Sequence, residues 1–353
     1  DTLLPELAGQ VDLTLIVPGA KADAETTSRG VRTIYLKRGP GPGALAYWTA
    51  DARRLAEMVK GERPDLVHLQ GVAGIGRFLS TPCIMTVHGI IDRDLLTSNR
   101  GSAWGSLPRL AAAHVLKHVE QRGRRRASSM IVINPYVLEA LSDVAKLRQF
   151  PISNPIDRTF CVIEGWQDER PKRLISVGWI GARKNTKAAA TLAARVLALD
   201  PSSSAVFCGP AESDDYLRTC KSVVAERSAS DRFAFPGSVS ALQLREELDR
   251  SSVLLMTSRQ ETAPVAIAEA HARGVAVVAP EAFGIKYMIA PGKNGFFLPD
   301  GDVEAQVRVV RAALDHPWDR KAIATRARAT YAPDRVARET VAAYRATLAD
   351  SPR

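Results

Sequence analysis

The chain has 353 residues, a formal net charge of +10 and 46% hydrophobic residues. Its length suits two domains of roughly 150 residues each, and its apolar share excludes wholesale disorder. No uninterrupted apolar run nears the roughly 18 residues that a membrane span needs, and the opening DTLLPELAGQ lacks the basic and apolar regions of a secretory signal.

In chain order, Leu3–Ala8 reads as the tail of a helix running into a strand over Val11–Val17. Further strands are predicted at Val31–Leu36, Asp65–Leu69, Cys83–Val87, Met130–Ile133, Arg173–Val177, Ala205–Cys208, Arg232–Phe235, Val253–Met256 and Val275–Ala279. Most are unbroken apolar runs, the pattern of strands covered on both faces. Helical periods lie between many of them, at Ala44–Val59, Thr186–Leu199, Tyr216–Ser228, Ala241–Asp249 and Val265–Arg273. Such alternation predicts an α/β fold with parallel sheets. The Gly39–Gly43 tract lacks phosphate-loop spacing and reads as a rigid loop.

A boundary falls near 153–172, where prolines and polar residues interrupt the periodicity. The predicted domains are 1–153 and 173–330, joined by a linker over 154–172. A terminal helix within 331–353 is expected to cross back to the first domain. Two doubly wound domains facing a cleft would bind a ligand at the carboxyl ends of their strands. A doubly wound domain usually opens with a strand and a Gly-rich turn, so the first is expected to lack its first strand–helix unit.

Cys83, Cys161, Cys208 and Cys220 are scattered, which suits reduced buried thiols rather than a metal site or a disulfide framework. The charge is uneven. Residues 1–160 carry a net +6, and the stretch 107–126 alone carries +5 through Arg109, Lys117, Arg122, Arg124, Arg125 and Arg126 against Glu120. Leu107, Leu110, Ala111, Val115 and Val119 recur there at helical spacing, predicting an amphipathic helix with a basic end. It reads either as a solvated face or as a patch for an anionic surface. No aromatic RNA-binding signature or helix-turn-helix pattern points to nucleic acid.

Ser258–Pro280 is the most informative segment. Glu261 and Glu269 stand eight apart, with Pro264 where a helix could begin. Amides of Thr262–Val265 at that helix start would suit a phosphate, and the Glu269 carboxylate could accept two sugar hydroxyls. An ordinary amphipathic helix with a glutamate at each end is the competing reading. Arg183 and Lys184 fall in a loop after the strand RLISV, where a lysine could reach the same phosphates or be merely solvated. His68 sits inside a strand and reads as structural.

In order along the chain come DLVHLQG, TVHG, IVINPYV, SNPID, LISVGWIGARKN, the Glu261-to-Glu269 element, ARGVAVVAP, NGFFLPDGD and ATYAPDRVARETVAAY. With them the sequence resembles the retaining family 4 glycosyltransferases of GT-B fold. The resemblance implies that Glu269 binds the ribose of a nucleotide-sugar and that Glu261 lies beside the donor sugar. Amides of Ala263, Pro264 and Val265 would meet sugar hydroxyls and the diphosphate. Lys184, with Arg183, would neutralise the leaving diphosphate, and His88 would lie near the donor sugar. Gly209, Pro210 and Val239 would lie near the nucleotide.

The chain departs from the family pattern in two places: Trp179 stands where members often carry arginine, and the glycine-rich first loop is missing. The implied activity is sugar transfer with retention, without metal or cofactor. The acceptor would be a saccharide or lipid-linked saccharide, in bacterial cell-surface polysaccharide or glycolipid assembly. The implied location is cytoplasmic, with peripheral contact to the inner face of the plasma membrane through 107–126. The alternatives are a non-catalytic GT-B binding or partner protein or a truncated inactive glycosyltransferase, favoured by the two departures, and a nucleotide-sugar epimerase.

Overall fold

The computed structural model describes residues 2–37, 39, 50–71, 73–97, 106–163 and 168–350, with backbone alone at 50, 95–97, 106–109 and 112. Most of the Gly39–Gly43 tract, the first six residues of the helix predicted over Ala44–Val59, and the side chains of Leu107 and Arg109 lie outside that description. The chain divides into two compact units. One comprises Asp1–Leu96, Trp104–Pro155 and Pro333–Arg353, the other Thr97–Ala103 and Ile156–Ala332.

The first unit holds two sheets. In one, β1 (Thr14–Ala20) pairs in parallel with β3 (Val31–Lys37), which pairs antiparallel with β2 (Ala24–Ser28). The other is wholly parallel, in the order β4 (Val67–Gln70), β5 (Cys83–Thr86), β6 (Ser129–Ile131), β7 (Arg148–Phe150). The last helix, Pro333–Ala349, belongs to this unit. Its Ala337 and Val341 pack with Leu7, and Thr347 Oγ1 meets Ser129 Oγ on β6.

The helix Ser106–Arg124 forms where an amphipathic segment was expected, but it is turned differently. Leu110, Ala111 and Val115 face solvent, and the buried face carries Ala113, Glu120, Gly123 and Arg124. Glu120 accepts from the amides of Ala73 and Gly74, and Arg124 pairs with Asp143 at 2.8 Å. Fixed carboxylate–guanidinium and carboxylate–amide bonds thus replace the expected apolar seam. Arg124 is an internal charge, while Lys117, Arg122, Arg125 and Arg126 stay exposed.

The second unit is one doubly wound sheet of six parallel strands. Their order is β10 (Phe233–Gly237), β9 (Ser204–Cys208), β8 (Arg173–Val177), β11 (Val253–Leu255), β12 (Ala276–Pro280), β13 (Gly295–Leu298). Successive side chains of a strand point to opposite faces, and here both faces are core. Leu174, Ala205, Val253 and Ala276 enter one apolar cluster, while their neighbours Ile175, Val206, Leu254 and Val277 enter the other. That is why these strands read as unbroken apolar runs.

All ten predicted strands form, with ends shifted by a few residues. Three others escaped notice. β2 is exposed at every position, β7 has three residues, and β13 is a short edge strand. Part of the predicted linker is core: Ile156 and Phe160 bury against the second unit, around a short helix Arg158–Cys161.

Candidate functional site

The sheet order reverses between β8 and β11, and ligands of such sheets bind outside the carboxyl ends at that point. The loop after β8 begins at Gly178 (φ 126°), passes Arg183 and Lys184, and enters the helix Thr186–Leu199 through Asn185 at φ 51°. A Cβ on Gly178 would stand 3.2 Å from Lys184 Cε, so glycine leaves room for the lysine stem. The loop is anchored underneath: Glu212 accepts from the Ala182 amide at 3.0 Å, and Thr257 Oγ1 donates to the Asn185 carbonyl at 2.9 Å.

The loop after β11 runs from Met256 to Pro264. Its Arg259 amide donates to the Arg183 carbonyl at 3.0 Å, and Arg183 donates back to the Gln260 carbonyl at 3.3 Å. Between the two loops, Lys184 Nζ lies 2.5 Å from Glu261 Oε1. The Glu261 side chain is 7% exposed and that of Lys184 17%, so water screens this pair weakly. Gly284 donates to the Glu261 carbonyl and fixes its backbone.

The helix Val265–Ala272 follows. Pro264 is its N-cap rather than a first-turn residue, and its ring nitrogen carries no proton. The expectation of donors across Thr262–Val265 therefore fails at Pro264, and Val265 and Ala266 supply the first-turn amides. The helix is not amphipathic: Ile267, Ala268, Ala270, His271 and Ala272 bury around its circumference. Glu269 is a half-buried carboxylate on this core helix, and burial, with the charge of Asp157, pushes its pKa up to about 7. His271 is neutral, its pKa lowered to about 4 by burial, and it bonds the Asn294 carbonyl.

Gly209 and Pro210 extend β9 beside Gly178. A Cβ on Gly209 would meet the Gly178 carbonyl oxygen at 2.0 Å, and Ile180 donates to the Pro210 carbonyl. Val239 is half-buried against the apolar cluster. Thr262 is buried and Ala263 partly so. Trp179 presents an indole that is 48% exposed. The second unit thus gathers Arg183, Lys184, Glu261 and Glu269 on adjoining loops and one helix.

His88 belongs to the first unit, exposed just past β5. Its Nε2 meets Gln70 Oε1 at 2.6 Å, and Asn154 also bonds the ring. His68 bonds Tyr344 and Thr86 through its two ring nitrogens, and burial lowers its pKa to about 3, so it is a neutral structural residue. Sequence reasoning missed Gln70, Asn154 and Glu212. Each acts through a neighbour distant in sequence, and no spacing signals that.

The fold has solved counterparts. The chain is similar to a sucrose-phosphate synthase from Thermosynechococcus elongatus, with a TM-score of 0.70 and 19% identity over 99% of this chain and 92% of that one. It is also similar to the Anabaena protein HepE, solved in complex with UDP and glucose. There the TM-score is 0.66 and the identity 15%, over 90% and 86% of the two chains. These likenesses, with the parallel sheets and flanking helices, define a GT-B fold. Residues 164–330 match the family model described as glycosyl transferases group 1, and residues 2–153 match the glycosyl transferase 4-like domain. Together they span most of the sequence, and the chain belongs to this glycosyltransferase family. A GDP-mannose-dependent alpha-mannosyltransferase of Mycobacterium tuberculosis is 32% identical over 100 residues, which cover 28% of this chain and 26% of that relative.

Proposed function

We propose that the chain transfers a sugar from a nucleoside diphosphate sugar to a hydroxyl of a saccharide or lipid-linked saccharide, with retention at the anomeric carbon. The observation that carries this reading is the Lys184–Glu261 pair held between the two switch-point loops. It supplies a cation for a diphosphate and a carboxylate for sugar hydroxyls, while Glu269, eight residues on in the helix Val265–Ala272, offers a carboxylate for the ribose. Similar proteins add support. HepE was solved with UDP and glucose, and the mannosyltransferase is named for its GDP-mannose dependence.

In the proposed step, the bond from the anomeric carbon to the diphosphate breaks while the acceptor oxygen bonds that carbon on the same face. The acceptor proton passes to an oxygen of the leaving diphosphate. Negative charge grows on that group, and Lys184 and the amides of Val265 and Ala266 meet it where it develops. Once the diphosphate takes the lysine, Glu261 is released to hold donor hydroxyls. It orients the sugar and does not attack it, unlike the paired carboxylates of glycosidases. Arg183 completes the donor contacts of the second unit, and no metal or cofactor enters the step.

The test is release of nucleoside diphosphate from a panel of UDP- and GDP-sugars. Wild type should release it, and Lys184→Ala should release it more slowly by about 100-fold or more. Trp179, exposed where the family often carries arginine, favours the second reading, a non-catalytic partner protein. Donor binding without release by wild type would select it.

The reading extends to a cytoplasmic protein touching an anionic membrane in cell-surface polysaccharide or glycolipid assembly. Leu110 and Val115 stand exposed on the same helix as Lys117 and Arg122, with Arg125 and Arg126 just beyond it. Apolar contact plus basic charge suits such a surface. Among the described residues, no helix is long and apolar enough to cross a membrane.

A further inference from the structure

The helix Ala50–Glu62 and the segment Phe78–Thr81 flank an open pocket of about 220 Å³ in the first unit. The helix leads into β4 and the segment into β5, so Lys60 and Thr81 stand near the amino ends of these strands. Ligands of parallel sheets ordinarily bind at the carboxyl ends. The proposed transfer uses none of the residues that line this pocket.

Arg53, Glu57 and Lys60 recur along the helix at four- and three-residue spacing, so they share one face. That spacing allows ion pairs, yet none forms. Arg53, Glu57, Lys60 and Ser80 are exposed, and with Thr81 they make no side-chain hydrogen bond or ion pair among the described residues. The Phe78 ring is 36% exposed, with the guanidinium carbons of Arg77 and Arg53 4.5 and 5.7 Å from its centre. The ring thus steadies Arg53 without using its N–H groups.

The lining selects its occupant. A guanidinium, an ammonium and two hydroxyls donate, and a phosphate monoester is an anion that accepts from several donors at once. Glu57 accepts and repels a bare anion, so the ligand also brings donor hydroxyls. Phe78, with buried Ala56 and Val59, offers an apolar surface for a ring. The volume falls below the roughly 300–1,000 Å³ of larger ligand sites, which suits one sugar ring rather than a nucleotide-sugar. We propose that this pocket binds a soluble monosaccharide phosphate. Arg53, Lys60, Ser80 and Thr81 hold the phosphate, Glu57 accepts from a sugar hydroxyl, and Phe78 meets the carbon face of the ring.

Calorimetric titration of the full chain with glucose 6-phosphate, mannose 6-phosphate, glucose and inorganic phosphate tests it. Wild type should bind at least one of the two hexose phosphates. It should bind glucose and inorganic phosphate more weakly by about 10-fold or more. Arg53→Gln combined with Lys60→Gln should lower hexose phosphate affinity by about 10-fold or more, the scale of hydrogen bonds to a charged group. Both residues are exposed, so the thermal melt of that variant should match wild type. Glu57→Gln should narrow the preference for hexose phosphate over inorganic phosphate. Added UDP or GDP should leave the affinity unchanged, because the proposed donor site lies in the second unit. No binding of either hexose phosphate, or equal binding by the double variant, would overturn the proposal. Competition by UDP or GDP would overturn it too, by moving the binding to the donor site, and would leave the proposed function standing.

Discussion

Lys184 Nζ and Glu261 Oε1, 77 residues apart in sequence, lie 2.5 Å from each other between the loops that follow β8 and β11. The pair is mostly shielded from water, so removing one partner strands the other. Lys184→Met should therefore destabilise the fold by about 3 kcal/mol. Lys184→Met combined with Glu261→Gln should recover most of that loss while leaving transfer abolished. Urea denaturation of wild type, the two single variants and the double variant checks this. Additive losses in the double variant would show that the two side chains do not interact.

The carboxyl of Glu269 has its pKa raised to about 7 from an ordinary 4.5. Between those values the folded protein binds a proton that the unfolded chain releases. Stability from this group is therefore lost as pH rises through that window. Ribose hydroxyls need the ionised carboxylate as acceptor, so nucleotide affinity should rise as pH passes about 7. Near pH 6.5, binding should release a fraction of a proton. Calorimetry in buffers of different ionisation enthalpy measures that release, and Glu269→Gln should remove it.

Gly209 holds φ 144°, and a Cβ there would stand 2.0 Å from the Gly178 carbonyl oxygen. Both the backbone conformation and the backbone contact oppose a side chain. Gly209→Ala should lower stability by about 2 kcal/mol or more and displace the Gly178 end of the Lys184 loop. A thermal melt equal to wild type would contradict the close approach of these two strand ends.

The exposed Leu110 and Val115 separate two versions of the membrane contact. Liposome sedimentation should show binding to anionic vesicles and weaker binding to neutral ones. Replacing both residues with serine should weaken binding to anionic vesicles while leaving its salt dependence. Equal sedimentation with neutral and anionic vesicles would remove the electrostatic part.

The second unit was the more legible in sequence because its strands are covered on both faces, and continuous apolar runs mark them. Lys184, Glu261 and Glu269 were singled out because they follow such strands and because the ordered motifs around them resemble a known family. The rest is tertiary. Arg273, fully buried, pairs with Asp249 at 2.7 Å and donates to the carbonyls of Phe160 and Val162. Its sequence context, ARGVAVVAP, looks like a helix end. Helical spacing in 107–126 foretold a helix but mistook its buried face, because Glu120 and Arg124 find buried partners in other segments.

The most direct test of the central claim is nucleoside diphosphate release from UDP- and GDP-sugars by wild type and by Lys184→Ala, Glu261→Gln and Glu269→Ala. The account predicts release by wild type from at least one donor. Lys184→Ala and Glu261→Gln should slow turnover at saturating donor by about 100-fold or more, while Glu269→Ala should mainly raise KM. Unchanged release in all three variants, or none by wild type from any donor that it binds, would contradict it.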